Sequence, residues 1–235
     1  MSEKMDSVPC KKVKISITDS LKYRFVNSGD LFGMVQNSSS KVLGIESGQI
    51  EIKSIEELIL KTRELEQVEV YNTIDGTLHI DANQRDPLVR IITQFGKSYY
   101  IDYHGVIVPH SIGFTPRLTV VSGYIDIPVE NIARGNILSI DENSSLKKIV
   151  SLVKFINKDE FWSGQIEQIW VNQAQELEIV PRAGNHIVKF GPPDHFEEKF
   201  EYLEEFYVSA LPDMGWNKYK EINLRYQGQI ICKKR

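Results

Sequence analysis

The 235 residues are 41% hydrophobic and 26% charged, a globular balance with room for one large domain or two small ones. A formal net charge of -4 at pH 7 argues against a dedicated nucleic-acid binder, which would carry a basic domain. No apolar run reaches the ~20 residues of a bilayer span, and two cysteines, Cys10 and Cys232, build neither a disulfide framework nor a multi-cysteine zinc site.

Val13, Ile15 and Ile17 alternate in KVKISIT, which predicts a strand. Leu31, Met34 and Val35 then stand at helical spacing behind Asn27 and Ser28, both good caps. NSSSK reads as a loop, and Gly44 and Gly48 break the next stretch. SIEELILKTREL predicts a helix: Ser54 and Glu57 have capping-box spacing, and Ile55, Leu58, Ile59, Thr62 and Leu65 share one face. Val68 and Val70 alternate in VEVYNTI, Asp75-Gly76 signals a two-residue hairpin, and Leu78, Ile80 and Ala82 line one side of the next strand. Residues 12–84 therefore read strand, helix, helix, strand, strand, a small α+β domain. Gln84-Arg85-Asp86-Pro87 punctuates its end, since a proline pushes the preceding residue to extended geometry.

Residues 85–235 form a second, β-rich domain. LVRIITQ and KSYYIDY flank Phe95-Gly96, with Tyr99, Ile101 and Tyr103 alternating; His104-Gly105 turns into VIVP, and RLTVVSGYID predicts a further strand. SLKKIVSLVKFI is a helix with Leu146, Ile149, Val150 and Val153 on one stripe. QIEQIWVN, ELEIV and HIVKF follow as strands, with turns at 172–175 and at Ala183-Gly184-Asn185. DHFEEKFEYLEEFYV is a second helix, with a capping box at Asp194 and Glu197 and an inner face of Phe196, Phe200, Leu203 and Tyr207.

Motifs for chemistry are weak. Gly96-Lys97-Ser98 matches the end of a phosphate-binding loop, but Ile91 stands where that loop needs a glycine, and the segment joins two strands. His79, His104, His110, His186 and His195 show no paired spacing for a metal. Glu197, Glu198, Glu201, Glu204 and Glu205 crowd the helix face opposite its apolar stripe, which reads as a solvated face. No GxSxG elbow is present. The expectation is no catalytic residue, no metal and no cofactor. Asn37-Ser38-Ser39 and Asn143-Ser144-Ser145 match the glycosylation sequon, a pattern common by chance.

The last stretch, EINLRYQGQIICKKR, predicts a terminal strand. Ile222, Leu224 and Tyr226 point one way, Asn223 and Arg225 the other; Gly228 reads as a bulge, and Ile230 and Ile231 resume before Lys233-Lys234-Arg235. Such a strand is either an edge blunted by charge or an acceptor for a partner strand, with an edge of roughly 30 Å.

EVYNTIDGTLHIDANQRDPLVRI (69–91), GKSYYIDYHGVIVP (96–109) and INLRYQGQIICKKR (222–235), in this order and spacing, resemble the bacterial cell-division family FtsQ, called DivIB in Gram-positives. The QR-x-P-x-x-R and SYYID-x-x-G forms are most similar to those of Bacteroidetes, and the resemblance runs over nearly the whole chain. It implies an N-terminal POTRA domain over 12–84 and an FtsQ-type β domain over 85–235. It also implies a short cytoplasmic tail and one transmembrane helix, so that this chain is an ectodomain on the periplasmic side of the inner membrane.

The implied role is a non-catalytic scaffold of the divisome that binds the single-pass proteins FtsB and FtsL. The last strand would add a partner strand, with Tyr226 matching a contributing tyrosine of the family. On this basis the partner-binding residues are Ile222, Leu224, Arg225, Tyr226, Gly228, Ile230 and Lys233. The chain departs from the enterobacterial form in three places: the last strand is one residue shorter around Gly228, it ends in Lys233-Lys234-Arg235 without a tryptophan, and Asn172 and Gln173 stand in the region where that form has an arginine. The basic end favours an acidic partner segment. Competing readings are a POTRA-bearing component of outer-membrane assembly or secretion, and a periplasmic enzyme acting on cell wall. The first fits a chain with several POTRA units, and the second needs a cleft with convergent acid, base or metal groups.

Overall fold

In the computed structural model, residues 7–19, 22–37, 42–111, 113–125, 127, 131–132 and 135–235 are described. The chain divides into two units, Met1–Asp86 with Ser111–Pro116, and Pro87–His110 with Arg117–Arg235. Apart from Asn37, the loop expected over 37–41 lies outside the described residues.

The first unit has the expected order: β1 (Lys12–Thr18), α1 (Ser28–Asn37), α2 (Ile52–Leu60), β2 (Leu65–Asn72) and β3 (Thr77–Gln84). The sheet order is β1-β3-β2, with β1 parallel and β2 antiparallel to β3. Asn27 caps α1: its Oδ1 accepts the Asp30 N–H at 3.0 Å, and Asp30 Oδ2 accepts from Asn27 Nδ2 at 2.6 Å. Leu31 and Val35 of α1, Ile55 and Ile59 of α2 and Leu78, Ile80 and Ala82 of β3 are buried, with α1 packed on α2 and β1, and α2 on β2.

Three local expectations fail here. The capping box at Ser54 and Glu57 does not form, because α2 starts earlier and Ser54 lies inside it, donating its hydroxyl to Glu51 Oε2 at 2.9 Å. The helix also stops at Leu60, and tight turns (Thr62 N–H to Ile59 C=O, Leu65 N–H to Thr62 C=O) deliver Leu65 to the sheet. The hairpin at Asp75-Gly76 is present but has three loop residues. The Thr73 N–H donates to the Thr77 C=O and the Gly76 N–H to the Thr73 C=O, with Gly76 at φ +84°. The same pair of bonds recurs around Gly96, Gly105 and Gln175, so four hairpins share one loop design.

The second unit is a nine-stranded mixed sheet in the order β12-β11-β10-β9-β8-β7-β4-β5-β6. Its strands are β4 (Pro87–Thr93), β5 (Ser98–Asp102), β6 (Ile107–Pro109), β7 (Val120–Gly123), β8 (Ile166–Val171), β9 (Leu177–Pro181), β10 (Ile187–Gly191), β11 (Tyr219–Asn223) and β12 (Ile231–Lys234). Parallel neighbours need a crossover, and helices supply two of them. The helices α3 (Ser145–Lys158) and α4 (Glu160–Gln165) join the parallel β7 and β8. The helix α5 (Phe196–Glu205), which widens over Phe206–Ala210 and ends as α6 (Leu211–Met214), joins the parallel β10 and β11.

The helices pack one face of the sheet. Leu146, Ile149, Leu152, Val153 and Ile156 of α3 and Phe200 and Leu203 of α5 are buried against it. Trp162 of α4 sits between Phe200 and Tyr207, with ring centroids 4.7 and 5.8 Å away. The sequence did not reveal α4; its six residues are held by Asp159, whose Oδ1 accepts the Trp162 N–H at 2.9 Å.

Three expectations need correction here. The alternation of Tyr99, Ile101 and Tyr103 fails because Tyr100 and Asp102 are buried as well: Tyr100 stacks on His110, and the Asp102 carboxylate accepts the N–H groups of His104 and Val106 inside the hairpin. RLTVVSGYID yields only the short β7, which ends where Gly123 takes φ +114°. The box at Asp194 and Glu197 is absent. His195 occupies the cap position at φ +52° without a side-chain cap, and Asp194 pairs with Lys148 of α3 at 2.7 Å.

Candidate partner-binding edge

The single strand expected over Glu221–Arg235 does not form. It is a hairpin of β11 and β12, paired Asn223 to Ile231, Ile222 to Cys232, Glu221 to Lys233 and Tyr219 to Lys234. Asn223 ends the first half: its Oδ1 accepts the Arg225 N–H at 3.0 Å and turns the chain out of the sheet. Gly228, read as a bulge, lies in the connecting turn at φ +73°. The ~30 Å edge is therefore replaced by the four-residue β12.

β12 is the outermost strand of the nine. The Arg235 N–H donates to the Lys218 C=O, so Lys233 and Ile231 face β11, and the backbone groups of Cys232 and Lys234 face away from the sheet. Among the described residues no strand pairs with that side. Lys233 and Lys234 of β12 and Lys220 of β11 are exposed, as is Arg235, whose guanidinium donates to the Asn185 C=O.

The residues singled out by sequence fall into three groups. Ile222 and Leu224 are 0% and 3% exposed and belong to the core, so their side chains hold the hairpin and offer no contact surface. Ile230 is half-buried against the same core. Arg225, Tyr226, Gly228 and Lys233 are exposed, Tyr226 at 53%. The stem of Arg225 runs over Gly191, where an added Cβ would come within 3.0 Å of it, and its guanidinium pairs with Glu176 at 2.7 Å.

Beside this hairpin lies a groove of about 470 Å³ between residues 224–229 and the first turns of α5. Leu224, Tyr202 and Tyr226 give it apolar surface, and Asp194, Glu198 and Lys199 give it charge. These groups are already engaged. Asp194 is held by Lys148, Glu198 accepts the Tyr202 hydroxyl at 3.1 Å, and Lys199 donates to the Pro192 C=O at 2.8 Å. Burial lowers the pKa of Lys199, and neighbouring Asp194 and Glu176 oppose that shift. Burial raises that of the Cys232 thiol.

Glu176, Gly191, Lys199 and Tyr202 were not singled out by the sequence, and Asp194, His195 and Glu198 were given no part in binding there, since all of them join the hairpin only through the fold. The nearest signal was the absence of an arginine at Asn172 and Gln173; Glu176, three residues on, supplies the opposite charge and receives Arg225.

The histidines do not converge. His79 stacks on Tyr71, His110 lies 3.1 Å from Arg90 Nη2, and His186 is buried with Nε2 2.7 Å from the Tyr207 hydroxyl. Among the described residues no group of three or more His, Cys, Asp or Glu is placed to hold a metal ion, and both cysteines are free. No helix among them is long and apolar enough to cross a membrane.

Two family profiles match the chain. One, described as a POTRA-like domain, covers residues 8–83. The other, described as FtsQ/DivIB, C-terminal related, covers residues 86–233. A search of curated proteins gave no significant match. Both domains are of non-catalytic family types, and the FtsQ/DivIB family is membrane-anchored with its folded part outside the cytoplasm. With its C-terminal profile spanning more than half of the chain and a POTRA-like domain before it, this chain belongs to the FtsQ/DivIB family, whose domains support a scaffold role in cell division.

Proposed function

We propose that the chain is a non-catalytic divisome scaffold that binds single-pass partners of the FtsB and FtsL type by adding a partner strand to β12. It would act at the septum, on the periplasmic face of the inner membrane, held there by an N-terminal transmembrane helix. The observation that carries this reading is the open side of β12, where, among the described residues, no strand pairs with the backbone groups of Cys232 and Lys234. The surrounding lysines select an acidic partner segment and speed its capture. Tyr226 and Arg225, at the rim of the adjoining groove, are placed to meet side chains that flank the added strand.

The test is backbone amide exchange over residues 219–235, with and without the FtsB–FtsL ectodomain pair of the same organism. Strand addition slows the Cys232 and Lys234 amides while leaving those of Ile231 and Lys233 at their already protected rates. Binding without new protection there would move the contact to another surface. Tyr226→Glu is expected to weaken binding at least tenfold with an unchanged melting curve, because the side chain is half exposed and lies outside the core. Unchanged affinity would remove Tyr226 from the interface.

A further inference from the structure

The three-stranded sheet of the first unit has two outer strands, and they are finished differently. On β2 the Thr73 N–H points at β3, so alternation turns the Val70 N–H outward. Glu56 of α2 reaches over and accepts it at 3.0 Å. A side chain thus plugs that edge. On β1, among the described residues, the only strand partner along Lys12–Thr18 is β3. Among the described residues, Lys14, Ser16 and Thr18 therefore present an N–H and C=O on the outer side that no strand takes, while the Lys12 C=O accepts the Cys10 thiol at 3.6 Å.

Beside β1 runs a groove of about 360 Å³, formed by Ile15 and Ile17 on one side and by Tyr23, Arg24 and Val26 on the approach to α1. Its apolar surface is incomplete. Ile15 and Ile17 are half-buried, whereas Ile80 and Ala82, their register partners on β3, are fully buried. One more strand outside β1 would continue the apolar stripe and cover them. Lys12 and Lys14 project from the opposite face of β1 and Arg24 stands at the groove, all exposed and without an ion pair among the described residues. Two copies of β1 set edge to edge would bring these lysines together, which disfavours self-pairing.

We propose that β1 and its groove take up an extended segment of a partner protein in which apolar and acidic residues alternate. The apolar side chains extend the Val13–Ile15–Ile17 stripe into the groove. The acidic ones lie beside Lys12 and Lys14, the cross-strand arrangement that favours opposite charges. This makes a second strand-accepting edge, in a different unit from β12.

The probe is a blocked seven-residue peptide alternating glutamate and valine, added to the full chain, with a lysine–valine peptide as control. Hydrogen exchange is read over residues 11–19 and 231–234. The expected result is at least fivefold slowing at alternate amides of β1 by the acidic peptide and none by the basic one. Lys12→Glu with Lys14→Glu, at exposed positions that leave the fold alone, is expected to weaken the acidic peptide at least fivefold. The proposal is overturned if no β1 amide slows at saturating peptide, if both peptides slow them equally, or if slowing is confined to residues 231–234.

Discussion

A proline at Lys234 separates the outer side of β12 from its inner side. A strand added along β12 can use the N–H and C=O of Cys232 and of Lys234, up to four backbone hydrogen bonds. At about 0.5–1.5 kcal/mol net for each, these contribute on the order of 2–6 kcal/mol. Lys234→Pro deletes one outward donor, leaves the partner's carbonyl unsatisfied and puts a ring where that carbonyl would lie. The loss is about 2 kcal/mol, roughly 30-fold in Kd. The fold should tolerate it, because this N–H makes no bond to β11 and proline is accepted on the open side of edge strands. Lys233→Pro is the contrast: its N–H faces Glu221, so the hairpin itself is damaged. Calorimetric titration with the FtsB–FtsL ectodomain pair, together with thermal melts, separates the two effects. A Lys234→Pro protein that melts normally and binds with unchanged affinity would refute strand addition at β12.

Gly123→Ala places a Cβ 2.2 Å from the Val171 carbonyl oxygen at φ +114°, so β7 and β8 must part locally; a loss of about 4 kcal/mol is expected in chemical denaturation, and a loss under about 1 kcal/mol would contradict the geometry. His186 is buried, and burial lowers its pKa; the Trp216 backbone carbonyl opposes that shift, and Arg235 adds repulsion in the same direction as burial. The unfolded chain then binds the proton more readily than the folded one. Stability is full above the unfolded value of about 6.5 and falls below it by up to about 1.4 kcal/mol per pH unit, until the folded histidine protonates as well. His186→Phe should flatten that part of a stability–pH curve, and an unchanged curve would assign the acid loss to other groups. Lys233→Glu with Lys234→Glu should slow association with the FtsB–FtsL pair several-fold at low salt and leave it nearly unchanged at 1 M salt, where the Debye length is about 3 Å; equal rates at low salt would deny the basic rim a steering role.

Periodicity made most of this architecture legible. The stripe of α3 needs no tertiary context, since Leu146, Ile149, Val150 and Val153 can only be satisfied on one side. The alternation in ELEIV likewise survives as the buried Leu177 and Ile179 of β9. What was hidden depends on competition between local signals and distant partners. Asp194 had a cap to make, but Lys148 offered it an ion pair across 46 positions of sequence. Ser54 had a box to form, but α2 starts at Ile52 with Glu51 in the cap position, which leaves Ser54 inside the helix. The terminal segment is the clearest case. A glycine within an alternating run serves equally as a bulge in one strand or a turn between two. The choice fell to Asn223, whose side chain bonds its own backbone two residues on and ends β11.

That choice also decides what the second unit can offer a partner. A sheet of nine strands has two outer edges, and β6 is not left open: the Ile107 N–H donates to the Gly135 C=O and the Ile137 N–H to the Gly105 C=O, so residues 135–137 lie along it. Had residues 221–235 stayed one strand, a long alternating edge would have stood exposed, a template for indiscriminate pairing. Folding the segment onto itself hides Ile222 and Leu224 and shortens the exposed edge to four residues. It also gathers Lys233, Lys234 and Arg235 beside Lys220. An edge this short holds too few hydrogen bonds to capture an arbitrary strand. On the proposed function, it would gain affinity only when charge and the Tyr226 groove are matched at the same time, which is the form of selectivity a scaffold needs if it is to bind its own partner and leave other open strands alone.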